Sequence, residues 1–249
     1  MNPILFELGG FRLYSFGSFI ALGAVVGTIV VFKLSQIRRL PTKNLFDLVL
    51  ISLLAGLIGA RIGYYLLYLE QFQSFWQLFY FWQGGLLASS GIVSGLAAFI
   101  WLTRRYQLPL APMLDIGVLS FLLGWAVGKI GCHLSFCSIG RFSSSLIAFQ
   151  STVPVDLLSV VSAGILFVVL LWLWQREVLK DGLIFLLAVE GFVISEALIK
   201  TQKVDFGEGL SGIEAAAYLV TAVITYLIFW RKLNFRWKKS FELKRKRPS

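Results

Sequence analysis

The chain has 249 residues, 57% of them hydrophobic and 14% charged, with 23 Lys and Arg against 13 Asp and Glu for a formal net charge of +10. A mean hydropathy of +0.79 is more than a soluble core of this length can hide, which excludes an ordinary soluble domain and points to an integral membrane protein.

Apolar runs in chain order predict an all-α integral membrane protein of seven transmembrane helices, at about 14–32, 46–69, 86–102, 112–134, 157–174, 182–199 and 210–230. The third is short and rich in small residues (Gly84, Gly85, Ser89, Ser90, Gly91, Ser94, Gly95), a pattern that fits either close helix packing or a broken helix lining a cavity. Between the second and third runs, the segment 72–82 places Phe72, Phe75, Trp76, Phe79 and Tyr80 at helical spacing. It reads as an amphipathic interfacial helix or as plain aromatic belting. No heptad, repeat or long linker interrupts the chain, and residues 1–249 are expected to form a single transmembrane domain. Glu7 and Arg12 before the first run, with no small-residue cleavage site after it, do not resemble a cleavable signal peptide.

Charge sets the orientation. Segments 33–43, 104–105, 176–180 and 231–247 carry four, two, two and nine Lys or Arg, whereas the amino terminus and the other three connections carry one, none, one and two. The bias places the N-terminus outside and the C-terminus in the cytoplasm. Residues 231–249 then form a basic cytoplasmic tail held to anionic inner-leaflet lipid, and no nucleic-acid partner is expected.

With that orientation, the scattered polar residues collect at one level. Tyr14 opens the first run, Arg61 lies toward the outer end of the second, Lys129 toward the outer end of the fourth, and Glu196 and Lys200 at the outer end of the sixth; Cys137 and Arg141 follow just outside. Each could snorkel to nearby headgroups, but an arginine in mid-span demands a polar cavity or a partner. A cationic pocket of Arg61, Lys129 and Arg141 open to the outer leaflet would suit a lipid phosphate, so an anionic phospholipid is the expected partner. The densest polar stretch is GKIGCHLSFCSIGR, 128–141, which holds the one histidine, His133, next to Cys132. Cys132 and Cys137 admit a disulfide, an inert thiol pair or a reactive thiol. Two thiols and one imidazole are too few for a zinc site, so neither metal nor cofactor is expected.

The motifs FRLYSFG, GARIGYYLLY, FYFWQGGLLASSG, GKIGCHLSFCSIGR and FVISEALIK together resemble the prolipoprotein diacylglyceryl transferase family over nearly the whole chain. The resemblance implies seven spans and transfer of a diacylglyceryl group from phosphatidylglycerol to the lipobox cysteine of a prolipoprotein signal peptide, or to another membrane acceptor, in the bacterial inner membrane. It carries a functional tyrosine onto Tyr14 and matches Gly59-Ala60-Arg61 and Gly140-Arg141 outright. Where the family has a histidine this chain has Ser89; where GRIGNFINGE is usual, it has Lys129 for the arginine, Cys132 and Ser135 for the asparagines and Cys137 for the glutamate. The pattern PxQLYE becomes Pro154-Val155-Asp156-Leu157-Leu158-Ser159. The catalytic residues expected are Tyr14, Lys129, His133 and Glu196; the choice of base rests on side-chain chemistry, with Glu196 as first and His133 as second candidate. The alternative is a non-catalytic lipid-binding or assembly protein on the same scaffold.

Overall fold

The computed structural model describes residues 4–8, 11–72, 74–80, 85–135, 137–138, 140, 142, 152–177 and 179–202. The seventh predicted span, the basic tail and Arg141 lie outside the described residues. Among the described residues, six α-helices run Ser15–Ile37 (α1), Leu45–Leu67 (α2), Ala88–Arg105 (α3), Leu110–Leu134 (α4), Val155–Gln175 (α5) and Leu183–Lys200 (α6). α1, α2, α4 and α5 are long and apolar enough to cross a membrane. The 18 residues of α3 and of α6 extend about 27 Å. Exposed apolar side chains run along α2 (Leu50, Leu54, Leu57, Ile58, Ile62) and α5 (Val161, Ile165, Val168, Trp172), faces that suit lipid rather than water.

The all-α expectation needs one correction. Residues Ile4–Leu8 (β1) and Phe11–Tyr14 (β2) pair as an antiparallel ribbon with Ile4 opposite Tyr14. Gly9-Gly10 between two apolar-rich runs is a recognisable hairpin signal. Two strands of four or five residues are nevertheless too short to register against the apolar run that follows them.

The chain forms two compact units, Met1–Gly27 with Val118–Ser249, and Thr28–Gly117. In the second unit, α2 lies directly against α3. A Cβ on Gly59 would run into Ser94, one on Gly63 into Ser90, and one on Gly56 would stand 3.2 Å from the Gly91 carbonyl oxygen. The small residues of α3 therefore serve close helix packing, which decides between the two readings of that stretch. Leu87 N–H adds a hydrogen bond of 3.0 Å to the Ala60 carbonyl, fixing the start of α3 beside the middle of α2.

α1 and α3 end in the same way. Arg39 and Gln107 take the left-handed conformation (φ 54° and 55°), and Leu40 and Leu108 N–H reach back to the carbonyls of Ser35 and Thr103, both at 2.9 Å. A proline follows each leucine and prevents the helix from continuing.

In the first unit, the opening half of α1 packs on the closing half of α4. A Cβ on Gly23 would stand 2.6 Å from the Gly124 carbonyl oxygen, and Ser120 Oγ donates to the Gly27 carbonyl at 2.7 Å, fully inside the packing. That close approach delivers the polar end of α4 to the neighbourhood of α5 and α6.

Candidate active site

In the segment 72–82, read as an amphipathic helix or as aromatic belting, the described residues form a 3₁₀ turn, Phe75–Phe79, that follows another at Leu69–Gln71. Arg61 donates to two carbonyls of the second turn and to one just before α3. Its Nε donates to the Leu78 carbonyl (3.1 Å), Nη2 to Gln77 (2.6 Å) and Nη1 to Gly85 (3.1 Å). The guanidinium also lies 5.5 Å from the Phe72 ring centroid, and the residue is only 3% exposed. Gly85 sits at φ +73°, and a Cβ there would press on Tyr64 and the arginine itself. The mid-span arginine thus has the polar partners that its depth demands, and they are loop carbonyls.

The other cationic residue forms a different kind of site. Trp125, Lys129 and His133 stand four residues apart on α4 and share one stripe of the helix. Lys129 Nζ pairs with Asp156 Oδ1 at 3.1 Å and lies 5.4 Å from the Trp125 ring centroid. Trp125 is held in turn by Phe121 and Phe192, with ring centroids 5.7 and 5.2 Å away, and its Nε1–H donates to Glu196 Oε1 at 3.2 Å. Glu196 also acts electrostatically on the same ammonium. One cation and two carboxylates are therefore assembled from α4, α5 and α6, with Asp156 2% and Glu196 5% exposed. Asp156 lies in the first turn of α5, where unpaired backbone N–H groups favour a negative charge. One turn on, the Ser159 hydroxyl is fully buried with no hydrogen-bond partner among the described residues.

The remaining sequence candidates are placed as follows. Tyr14 is exposed at the junction of β2 and α1, its carbonyl accepting from Ser18 Oγ at 2.9 Å. His133 is half-buried in the last turn of α4. Lys200 is the last residue of α6, and Ser89 is exposed in the first turn of α3. Cys132 and Cys137 are free thiols, joined through a 3.1 Å hydrogen bond from Cys137 N–H to the Cys132 carbonyl. The Cys132 side chain also hydrogen-bonds the exposed Cys137 sulfur, which holds the Cys137 thiol below its usual range.

Lys129 and Glu196 were legible as candidates, and the structure brings them together. Arg61 belongs to the other unit. Asp156 and Trp125 were missed as site residues. Asp156 was visible only as a departure from PxQLYE, and Trp125 reads in sequence like any aromatic residue of an apolar run. Among the described residues, no group of three or more His, Cys, Asp and Glu could hold a metal ion.

Comparison with known proteins gives this arrangement a context. The family described as prolipoprotein diacylglyceryl transferase matches residues 3–232. The chain is 24% identical over 242 residues to the phosphatidylglycerol–prolipoprotein diacylglyceryl transferase of Clostridium tetani, covering 92% of this chain and 97% of that protein. It is 33% identical over 132 residues to the enzyme of that name numbered 1 in Clostridium perfringens, 53% of this chain and 50% of that protein. With the Gloeobacter violaceus protein of that name it shares 30% over 132 residues, 52% and 49% of the two chains. These latter matches cover about half the length of the relatives.

Proposed function

Because the chain belongs to the prolipoprotein diacylglyceryl transferase family, we propose that it transfers a diacylglyceryl group from phosphatidylglycerol to the lipobox cysteine of a prolipoprotein. The reaction is carried out at the outer leaflet of a bacterial cytoplasmic membrane by a seven-span protein whose N-terminus lies outside and whose C-terminus is cytoplasmic. The charge bias of the connecting segments supports that orientation.

The observation that carries the reading is the half-buried Lys129, paired with Asp156 and within electrostatic reach of Glu196. In the transfer, the acceptor sulfur attacks C3 of the diacylated glycerol, an S–C bond forms, the C–O bond to phosphate breaks, and glycerol phosphate leaves with the electron pair. Negative charge grows on the bridging phosphate oxygen. An ammonium has three donors; Asp156 takes one, and Lys129 has capacity to donate to that oxygen as the charge develops. The acceptor thiol must lose a proton. Glu196, with one oxygen held by the Trp125 N–H, is the base that receives it, and His133, on the same stripe as Lys129, is the second candidate. A thiol is already partly ionised near neutrality, so the demand on that base is modest. Arg61 fixes the 77–85 segment through its carbonyls. Tyr14 as a catalytic residue and Arg141 as a residue binding the lipid phosphate rest on the family motifs alone.

The test is purified protein in phosphatidylglycerol vesicles with a lipobox peptide and headgroup-labelled lipid. Equal amounts of released glycerol phosphate and thioether-linked peptide are expected. Release without peptide lipidation would move the acceptor elsewhere, and binding without release would make this a lipid-binding or assembly protein.

A further inference from the structure

Lysine is a poor solitary electrophile. Its charge sits at the end of a flexible four-carbon stem, whereas arginine brings a planar fork that needs less external fixing. In this chain Lys129 occupies the place where the family motif has arginine, and its ammonium is fixed from two sides. The Asp156 carboxylate holds it at 3.1 Å and the Trp125 face lies 5.4 Å away. The Trp125 ring cannot swing freely, being packed against Phe121 and Phe192 and hydrogen-bonded to Glu196. Asp156 is also well fixed: it is 2% exposed and rooted in the first turn of α5. One turn on, the same helix face carries Ser159, fully buried and with a hydroxyl unpartnered among the described residues. That serine stands where the family motif PxQLYE has its glutamate. The acidic group of α5 thus lies one turn earlier, opposite a lysine.

We infer that Asp156 is a positioning residue for transfer: it holds the Lys129 ammonium where the leaving phosphate oxygen develops its charge, a function that an arginine at 129 would not need. The inference rests on the transferase reading above. It makes Lys129 and Asp156 a unit across α4 and α5, so that the value of the carboxylate depends on which cation stands at 129. Asp156 need not touch the substrate. Misplacing a charge by about 1 Å costs roughly 100-fold in rate, and the loss of Asp156 is expected to approach that figure.

The experiment measures glycerol phosphate release and peptide lipidation per folded molecule for four proteins: wild type, Asp156→Asn, Lys129→Arg and the double variant. With Lys129 present, Asp156→Asn is expected to lower kcat by about 30-fold, with KM for phosphatidylglycerol changed less than about threefold. In the Lys129→Arg background the same substitution is expected to cost less than about threefold, because the guanidinium brings its own geometry. A purely structural role would give equal losses in both backgrounds, and that result overturns the inference. An inactive Lys129→Arg protein overturns it too. Should Asp156→Asn not fold, Asp156→Glu, one methylene longer and still charged, gives a smaller loss that Lys129→Arg again relieves. A wild-type protein that binds phosphatidylglycerol but never releases glycerol phosphate would instead remove the transferase reading and this inference with it. The two failures are therefore distinguishable.

Discussion

Arg61 and Lys129 are both withdrawn from solvent in apolar helices, yet their surroundings differ. Arg61 donates to three backbone carbonyls of one loop, at Gln77, Leu78 and Gly85, while Lys129 faces a carboxylate from a second helix and an indole held by a third. The guanidinium ties the Gln77, Leu78 and Gly85 carbonyls to the middle of an apolar helix, so its hydrogen bonds serve backbone groups. Among the described residues, the hydrogen bond of the lysine pair joins side chain to side chain. Two charges have been taken out of water to face each other, an arrangement that rarely adds stability over apolar side chains of similar volume. On the proposed reading, one cation organises structure and the other serves the chemistry.

The largest effect that would sharpen this contrast comes from replacing the pair as a unit. Lys129→Met with Asp156→Leu is expected to lower transfer by at least about 1000-fold, through loss of the electrophile, while changing stability by no more than about 2 kcal/mol. Thermal unfolding in detergent micelles, run beside the lipidation assay, reads both quantities. A large loss of stability would mean that the pair belongs to the fold after all.

Next in size is Arg61→Ala, which removes the guanidinium hydrogen bonds to the Gln77, Leu78 and Gly85 carbonyls and is expected to cost about 3 kcal/mol. Arg61→Lys should recover only part of this, since one ammonium cannot span the geometry that the fork covers. Unfolding midpoints in mixed micelles check the ranking, and equal midpoints for wild type and Arg61→Ala would break it.

The smallest effect concerns the thiols beside the lysine site. Because the Cys132 hydrogen bond holds the Cys137 thiol below its usual range, more thiolate is present at a given pH and alkylation should begin at lower pH than for a free cysteine. Cys132→Ala removes the donor, so the rate-against-pH curve should move to higher pH and the rate at pH 7 fall by about threefold or more. Intact mass after alkylation of the unreduced, denatured protein should show two modified cysteines. A protein that takes up label only after reduction would carry a disulfide.

Much of the helical frame was legible, because long apolar runs leave few alternatives. The run 46–69 became Leu45–Leu67 and the run 112–134 became Leu110–Leu134. Composition could not show that Gly59 and Gly63 meet Ser94 and Ser90, since small residues are equally suited to a packed interface and to a cavity wall. Of the two readings of 72–82, the amphipathic helix gives way at Phe75–Phe79 to a 3₁₀ turn. Aromatic spacing favours a continuous helix, but a broken one exposes the carbonyls that Arg61 requires. Lys129 and Glu196 stood out as charges in apolar runs. Asp156 did not, because its meaning depends on a partner 27 positions away that no local pattern reveals.

The most direct measurement of the division between the two cations is turnover per folded molecule for Lys129→Gln and Arg61→Lys, each compared with wild type in phosphatidylglycerol vesicles with a lipobox peptide. Lys129→Gln is expected to lose at least about 100-fold per folded molecule, whereas Arg61→Lys should yield less folded protein whose turnover per folded molecule stays within about threefold of wild type. Full turnover in Lys129→Gln, or a fully folded but inactive Arg61→Lys, would contradict the assignment of chemistry to Lys129 and structure to Arg61.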